Sequence, residues 1–244
     1  MKKMSRKLIP AFIMLLVSAI MLSTASYAWF ANGYTVEANG MSVKVNSDAK
    51  YLLISDDNAE FDNSVTLEEN NTAIVDLVTA TITDGEVDWF TGTSTEADDP
   101  NASSALTPVD DEKLGSYVLT KTFYVKLSDG SNGSLYNLEI SGVTITGTSN
   151  LKSAVRVIAK GDNGAQLWKT NKVEDVLQDA MVEDTAAGNS ECLISEITKG
   201  TAKEVTVYIY YDGKDDSAFI NNAGALDYIS VSVSFTATPT NPNA

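Results

Sequence analysis

The sequence predicts an all-β protein: a jelly-roll-type two-sheet β-sandwich with one inserted short helix, preceded by an N-terminal signal helix. Three observations lead there. Several segments alternate apolar and polar residues with the period of two that a half-buried strand requires. Those segments are rich in Val, Ile, Thr and Tyr, which suit a pleated surface, and polar turns separate them. The chain also starts with a basic stretch and one apolar run that is short for a bilayer span.

Met1 to Lys7 carries Lys2, Lys3, Arg6 and Lys7 and no acid, and Leu8 to Leu22 is apolar. The run Ser23-Thr24-Ala25-Ser26-Tyr27-Ala28 follows. Ser26 and Ala28 stand at the −3 and −1 positions of a cut before Trp29, where signal peptidase accepts only small side chains. Residues 1–28 therefore read as a signal peptide, with the membrane met only transiently. An uncleaved anchor is the other reading, because apolar character continues through Trp29-Phe30-Ala31.

Residues 29–45 form an N-terminal segment ahead of a sandwich domain at 46–238, with a polar tail at 239–244. Strands are expected at Met41–Val45, Tyr51–Ser55, Ile74–Thr83, Val118–Ser128, Tyr136–Thr146, Ala154–Lys160, Glu204–Asp212 and Ile229–Thr236. The last alternates most regularly: Ile229, Val231, Val233 and Phe235 point one way, Ser230, Ser232, Ser234 and Thr236 the other. In the strand before it, Val205, Val207, Ile209 and Tyr211 share one face and Thr206, Tyr208 and Tyr210 the opposite one. Residues 84–116 read as a loop-rich insertion. Residues 171–200 read as a helix-containing insertion, because Val173, Val176, Leu177, Ala180 and Met181 recur at helical spacing behind Asn171 as N-cap. A second short helical turn fits 218–226.

Lys and Arg number 17 and Asp and Glu 33, a formal charge of −16; without residues 1–28 the balance is 13 against 33, or −20 over 216 residues. Nucleic-acid binding rests on cationic contacts to phosphate, so this chain is not a nucleic-acid partner. Acidity of this kind keeps an exported protein soluble. The single cysteine, Cys192, cannot form an intrachain disulfide and lies in an apolar run, as a small buried hydrophobe does. There is no His, which excludes imidazole zinc sites and His-dependent nucleophilic catalysis. The many acids form no recognisable catalytic pair, so no enzyme and no cofactor is expected. The turn Asp212-Gly213-Lys214-Asp215-Asp216 offers oxygen ligands to Ca²⁺, but its glycine is misplaced for an EF-hand loop and an acidic hairpin turn is the simpler reading. Tyr208 and Tyr210, two apart on one face, are possible ligand aromatics for stacking on a sugar; alternatively they cover a second apolar layer, as sandwich aromatics commonly do.

The junction Ala25-Ser26-Tyr27-Ala28-Trp29-Phe30-Ala31-Asn32-Gly33, with Gly40-Met41-Ser42-Val43-Lys44-Val45 after it, resembles the TasA/camelysin family of Gram-positive exported proteins. The stretch from Val205 to Thr238 looks like the closing strands of that family. The resemblance implies processing by a SipW-type signal peptidase at Ser26, Ala28 and Trp29. It also implies a jelly-roll subunit, extracellular or on the cell surface, assembled into biofilm-matrix fibres. The partners are then further copies or related fibre subunits. The implied assembly strand comprises Trp29, Phe30, Tyr34, Val36, Met41, Val43 and Val45, given to a neighbour whose sheet it completes. The turn after Trp29-Phe30 has no acid, where the family usually has one. The reading that stands beside this one is a non-polymerising surface protein that binds carbohydrate. The metalloprotease activity described in the family finds no support here, since there is no His-Glu-x-x-His motif.

Overall fold

The computed structural model describes residues 41–47, 51–69, 77–91, 106–147, 152–215 and 229–239. The chain divides into two units, Met1–Glu37 and Ala38–Ala244, and every described residue belongs to the second. The signal peptide, Trp29, Phe30, Tyr34, Val36, the turn expected at 218–226 and the tail beyond 239 lie outside the described residues.

The architecture is all-β. In chain order the strands are β1 (Met41–Ser47), β2 (Leu52–Ser55), β3 (Ser64–Glu69), β4 (Thr79–Thr83), β5 (Glu86–Thr91), β6 (Thr107–Pro108), β7 (Val118–Leu127), β8 (Ser134–Gly147), β9 (Val155–Lys160), β10 (Ala165–Lys169), β11 (Lys172–Val173), β12 (Val176–Leu177), β13 (Val182–Glu183), β14 (Ile194–Thr198), β15 (Lys203–Tyr211) and β16 (Ile229–Thr238). Two large sheets run in the orders β14-β8-β16-β1-β3 and β13-β10-β9-β15-β7-β2. Their facing residues form one core, in which Val45, Leu52, Phe123, Leu138, Ile145, Val157, Val205, Val207, Val233 and Phe235 are buried. The period-two patterns of β15 and β16 place their valines and isoleucines in that core, because alternate residues of a strand face opposite sides.

Eight strands reproduce a jelly roll. With β1 set aside, the first sheet reads β3-β16-β8-β14 and the second β7-β15-β9-β10. Successive strands then cross from sheet to sheet, except at the β9–β10 hairpin. Three strands are additional. β13 extends the second sheet beyond β10. β2 extends the second sheet beyond β7. β1 lies between β3 and β16, the first and last strands of the roll.

A third layer covers the outer face of the second sheet. β4, β5 and β6 form a three-stranded sheet whose Ile82 and Trp89, with Val78 just ahead of β4, are buried with Val118, Ile158, Leu167 and Tyr210. Within the expected loop, residues 84–91 and 106–116 instead hold β5, β6 and a 3-10 helix. Asp84 (φ 52°) and Gly85 (φ 81°) make the tight turn of the β4–β5 hairpin. A side chain at Gly85 would also meet the Gly164 Cα at 3.0 Å, a tight approach that adds to the strain of its positive φ.

The helix expected over 173–181 does not form. Residues 172–177 make a hairpin, β11–β12, with Lys172 opposite Leu177 and Val173 opposite Val176. Glu174 and Asp175 turn it in the left-handed region, at φ 49° and 63°. A two-residue turn puts residues three and five apart across from one another, which imitates part of a helical stripe. The next residues then join the sheets: the Ile145 N–H donates to the Asp179 carbonyl and the Met181 N–H to the Val143 carbonyl. Backbone pairing along the open side of β8 outweighs a helical propensity already lowered by Val173, Val176 and Val182. The short helix of the fold is instead a 3-10 helix at Asp111–Ser116, with one further turn at Lys152–Ala154.

Candidate functional site

The N-terminal strand occupies a slot in its own sheet. β1 runs parallel to β16, with Ser42 opposite Ser230 through Ser47 opposite Phe235. It runs antiparallel to β3, with Met41 opposite Glu69 through Asn46 opposite Ser64. Each side carries six Cα pairs. Val45 is fully buried, opposite Val233 on one side and Val65 on the other. Met41, Val43 and Val45, expected to complete a neighbour's sheet, therefore complete this chain's own. The reason lies in the chain order: β1 is an extra strand inserted at the seam where the first and last strands of the roll would otherwise be neighbours.

Tyr208 and Tyr210 are covered. Trp89 sits on both, with ring centroids 5.5 Å from Tyr208 and 5.0 Å from Tyr210, each edge to face. Tyr210 is 1% exposed and Tyr208 half-buried. Burial pushes the Tyr210 hydroxyl well above its ordinary pKa, and the Asp212 charge adds to the rise. The sugar-stacking reading fails for Tyr210, because a platform must offer its ring face to solvent. The second apolar layer is the reading that holds, formed with β4–β6 and not with the expected helix.

The acidic turn after β15 is filled by a cation of the protein. Arg156, 9% exposed, points its guanidinium between Asp212 (3.5 Å) and Asp215 (3.0 Å). It also donates to the carbonyls of Ser153 and Val155 at 2.9 and 3.0 Å. The Lys214 N–H donates to Asp212 Oδ1 at 3.1 Å. This turn clamps the third layer: the Val78 N–H donates to the Tyr211 carbonyl and the Gly213 N–H to the Val78 carbonyl. The Ca²⁺ reading gives way to an ion pair, the outcome expected when a buried guanidinium needs carboxylates. Among the described residues, no group of three or more His, Cys, Asp or Glu is placed to hold a metal ion.

Two further polar groups were not singled out from the sequence. Gln166, 5% exposed on β10, joins the two sheets. Its Oε1 accepts from the Ile140 N–H of β8 at 2.9 Å, and its Nε2 donates to the carbonyls of Ser190 and Glu191. No motif announces this role; it arises because β14 begins only at Ile194, opposite Leu138, and leaves Ile140 of β8 without a strand on that side. Asp57 closes the turn after β2, where Oδ1 accepts from the Ala59 N–H (2.8 Å), the Ser55 hydroxyl (2.8 Å) and the Glu60 N–H (3.2 Å). These bonds, that from Ala59 foremost, hold its pKa below the ordinary carboxylate value. Cys192 is buried as expected, and burial raises its pKa, which keeps it a thiol.

Among the described residues, the slot between β3 and β16 is filled by the chain's own β1. No family model, no curated protein and no solved structure matches the chain.

Proposed function

We propose that this protein is a secreted structural subunit of a cell-surface or biofilm-matrix fibre, and that subunits join by exchange of the N-terminal strand. The observation that carries the reading is the position of β1. It is extra to the eight-strand roll, it is the first strand among the described residues, and it fills a slot flanked by β3 and β16. A neighbour's β1 would find there the same two ladders and the same seat for Val45. Exchange of an identical element is a low-cost route to association, since the pairing given up within one subunit is remade between two. The junction at Ser26, Ala28 and Trp29 supports export by a SipW-type signal peptidase, and Trp29, Phe30, Tyr34 and Val36 would travel with the exchanged strand. This is a TasA-like role for an extracellular protein of a Gram-positive-type bacterium, without catalysis.

A crosslink tests it. Lys44 and Ser232 are Cα partners on β1 and β16. Adjacent strands lie ~4.8 Å apart, within the Cα range of a disulfide. The variant Lys44→Cys/Ser232→Cys is made in a Cys192→Ala background, as residues 29–244, and allowed to assemble before oxidation. Strand exchange gives a ladder of covalent oligomers on a non-reducing gel, alongside filaments in negative-stain electron microscopy. Filaments whose disulfides stay within single chains reject strand exchange. Monodisperse particles at high concentration reject the fibre.

A further inference from the structure

We propose that Asn132 is a self-modification site, at which the side-chain amide is lost to the backbone nitrogen of Gly133, while the chemically equivalent pair Asn163-Gly164 is held unreactive by its contacts. Asn-Gly is the dipeptide in which this reaction is least hindered, because glycine puts no side chain beside the attacking nitrogen. The described residues contain both pairs, each between two strands and each with its Asn at the surface. Exposure therefore does not separate them, whereas anchoring does.

Asn132 lies in the six-residue connection between β7 and β8. The turn bonds of that connection come earlier: the Ser128 N–H donates to the Tyr51 carbonyl and the Ser131 N–H to the Ser128 carbonyl. Gly133 stands at φ 106°, and nothing lies within 4 Å of where its Cβ would be, so a five-membered imide ring has room to form. Asn163 is held instead. Its Nδ2 donates to Cys192 Sγ at 3.2 Å and to the Cys192 carbonyl at 3.4 Å, and its N–H donates to the Leu193 carbonyl. The turn is closed by the Gly161 N–H on the Gly164 carbonyl. Gly164 is packed so closely that a Cβ there would fall 2.1 Å from Ser190 Oγ.

The chemistry needs only water. The Gly133 nitrogen, its proton passed to solvent base, attacks Asn132 Cγ. The new N–Cγ bond forms, the Cγ–Nδ2 bond breaks, and ammonia leaves. Water then opens the imide at either carbonyl, giving aspartate or isoaspartate. Each conversion adds one negative charge and about 1 Da. The charge appears three residues from Asp129, which pairs with Lys126 at 3.6 Å.

Freeing Asn163 breaks two side-chain hydrogen bonds, which slows its conversion at least about tenfold relative to Asn132. The test is peptide mapping by mass spectrometry after incubation in mildly alkaline, heavy-oxygen water, on the folded protein and on the protein in denaturant. In the folded protein the Asn132 peptide gains heavy oxygen and isoaspartate at least about tenfold faster than the Asn163 peptide. In denaturant the two rates converge. Asn132→Gln removes the corresponding acidic species on ion exchange. Equal rates in the folded protein, a faster Asn163, or no conversion at Asn132 in the folded protein would each overturn the proposal.

Discussion

Truncating Val45 to alanine separates the release of β1 from the strength of its final seat. Val45 is fully buried between Val233 and Val65. Removing its two methyl groups forfeits the transfer energy of those groups and leaves a cavity, together ~2–3 kcal/mol. That loss falls wholly on the state in which β1 is seated. The population with β1 released should therefore rise roughly 30- to 150-fold. Native-state hydrogen exchange reads this directly, because release bares the β1-facing amides of β3 and β16 together. Val207→Ala is the matched control: Val207 is equally buried, on β15 in the other sheet. It should lower global stability by a similar amount without raising local exchange at β3 and β16. Assembly then divides into rate and extent. If release of β1 limits exchange, Val45→Ala speeds the early phase by up to the same factor. The final extent stays unchanged, because the truncation weakens self-seated and exchanged strands alike. A lower melting temperature with unaltered exchange at β3 and β16 refutes the idea that β1 leaves as a unit.

Three other outcomes follow from the geometry. Trp89→Ala removes an 8%-exposed indole from two edge-to-face contacts and should cost ~3–5 kcal/mol; tyrosine fluorescence should report a solvated Tyr208 and Tyr210 while the two main sheets keep their circular dichroism, and concerted loss of all β signal would contradict a separable third layer. Arg156→Met strands the Asp212 and Asp215 carboxylates, each under one-fifth exposed, at ~1–3 kcal/mol after allowance for their solvent contact; the variant's melting temperature should become Ca²⁺-dependent while the parent's does not, and a Ca²⁺ response in the parent would overturn the ion-pair assignment. Tyr210 stays protonated in the fold above its ordinary value of 10.0, whereas in the unfolded chain it ionises near that value; its contribution is complete below about pH 10 and falls as pH rises further, because the unfolded state then binds fewer protons. Thermal melts across that range should show a shallower alkaline decline for Tyr210→Phe than for the parent, and parallel curves would remove Tyr210 as the cause.

The sheets were legible where one face meets the core and the other meets solvent. β8 and β16, in the sheet that the third layer does not cover, alternate because each contributes one face to the main core. β9 reads Val-Arg-Val-Ile-Ala and is buried on both faces, since the third layer covers its outer side, so alternation there said little about its surroundings. The third layer had a sequence signal in Asp84-Gly85 between two Thr- and Val-bearing runs, the pattern of a tight hairpin, hidden by the polarity of the stretch around it. The 171–181 stretch failed for the opposite reason: its apolar spacing fits a helix and a two-residue hairpin alike, and tertiary pairing with β8 and β10 decides between them. Of the candidate site, the face shared by Tyr208 and Tyr210 was legible and its cover was not. The partner of Asp212 and Asp215 lies 56 and 59 positions away, which a local reading does not reach. The seat of β1 depends on long-range topology, which faces alone do not fix.

That topology also sets how exchanged subunits connect. β1 and β2 both stand outside the roll, and residues 48–51 join them. From Ser47 to Leu52 the chain spans at most about 18 Å. With β2 docked on β7 and bonded through Ile54 to Asp62, a subunit can place β1 only in a slot close to its own β2. Two subunits meeting there can each fill the other's slot, and such a pair is closed and stops growing. An open chain needs each subunit to give to one neighbour and receive from another. If β2 lets go of β7, the tether runs from Ser47 to Ser64, at most about 60 Å. That exceeds the ~48 Å of β8, the longest strand at 14 residues. The hold on β2 therefore governs whether exchange ends in a pair or continues as a fibre. That hold consists of four Cα pairs, the two Ile54–Asp62 hydrogen bonds, the Ser128–Tyr51 hydrogen bond and the full burial of Leu52 and Ile54 in the core. Fibre growth by β1 exchange accordingly calls for the leading arm to include β2, and the short edge strand matters to assembly as much as the strand that fills the slot.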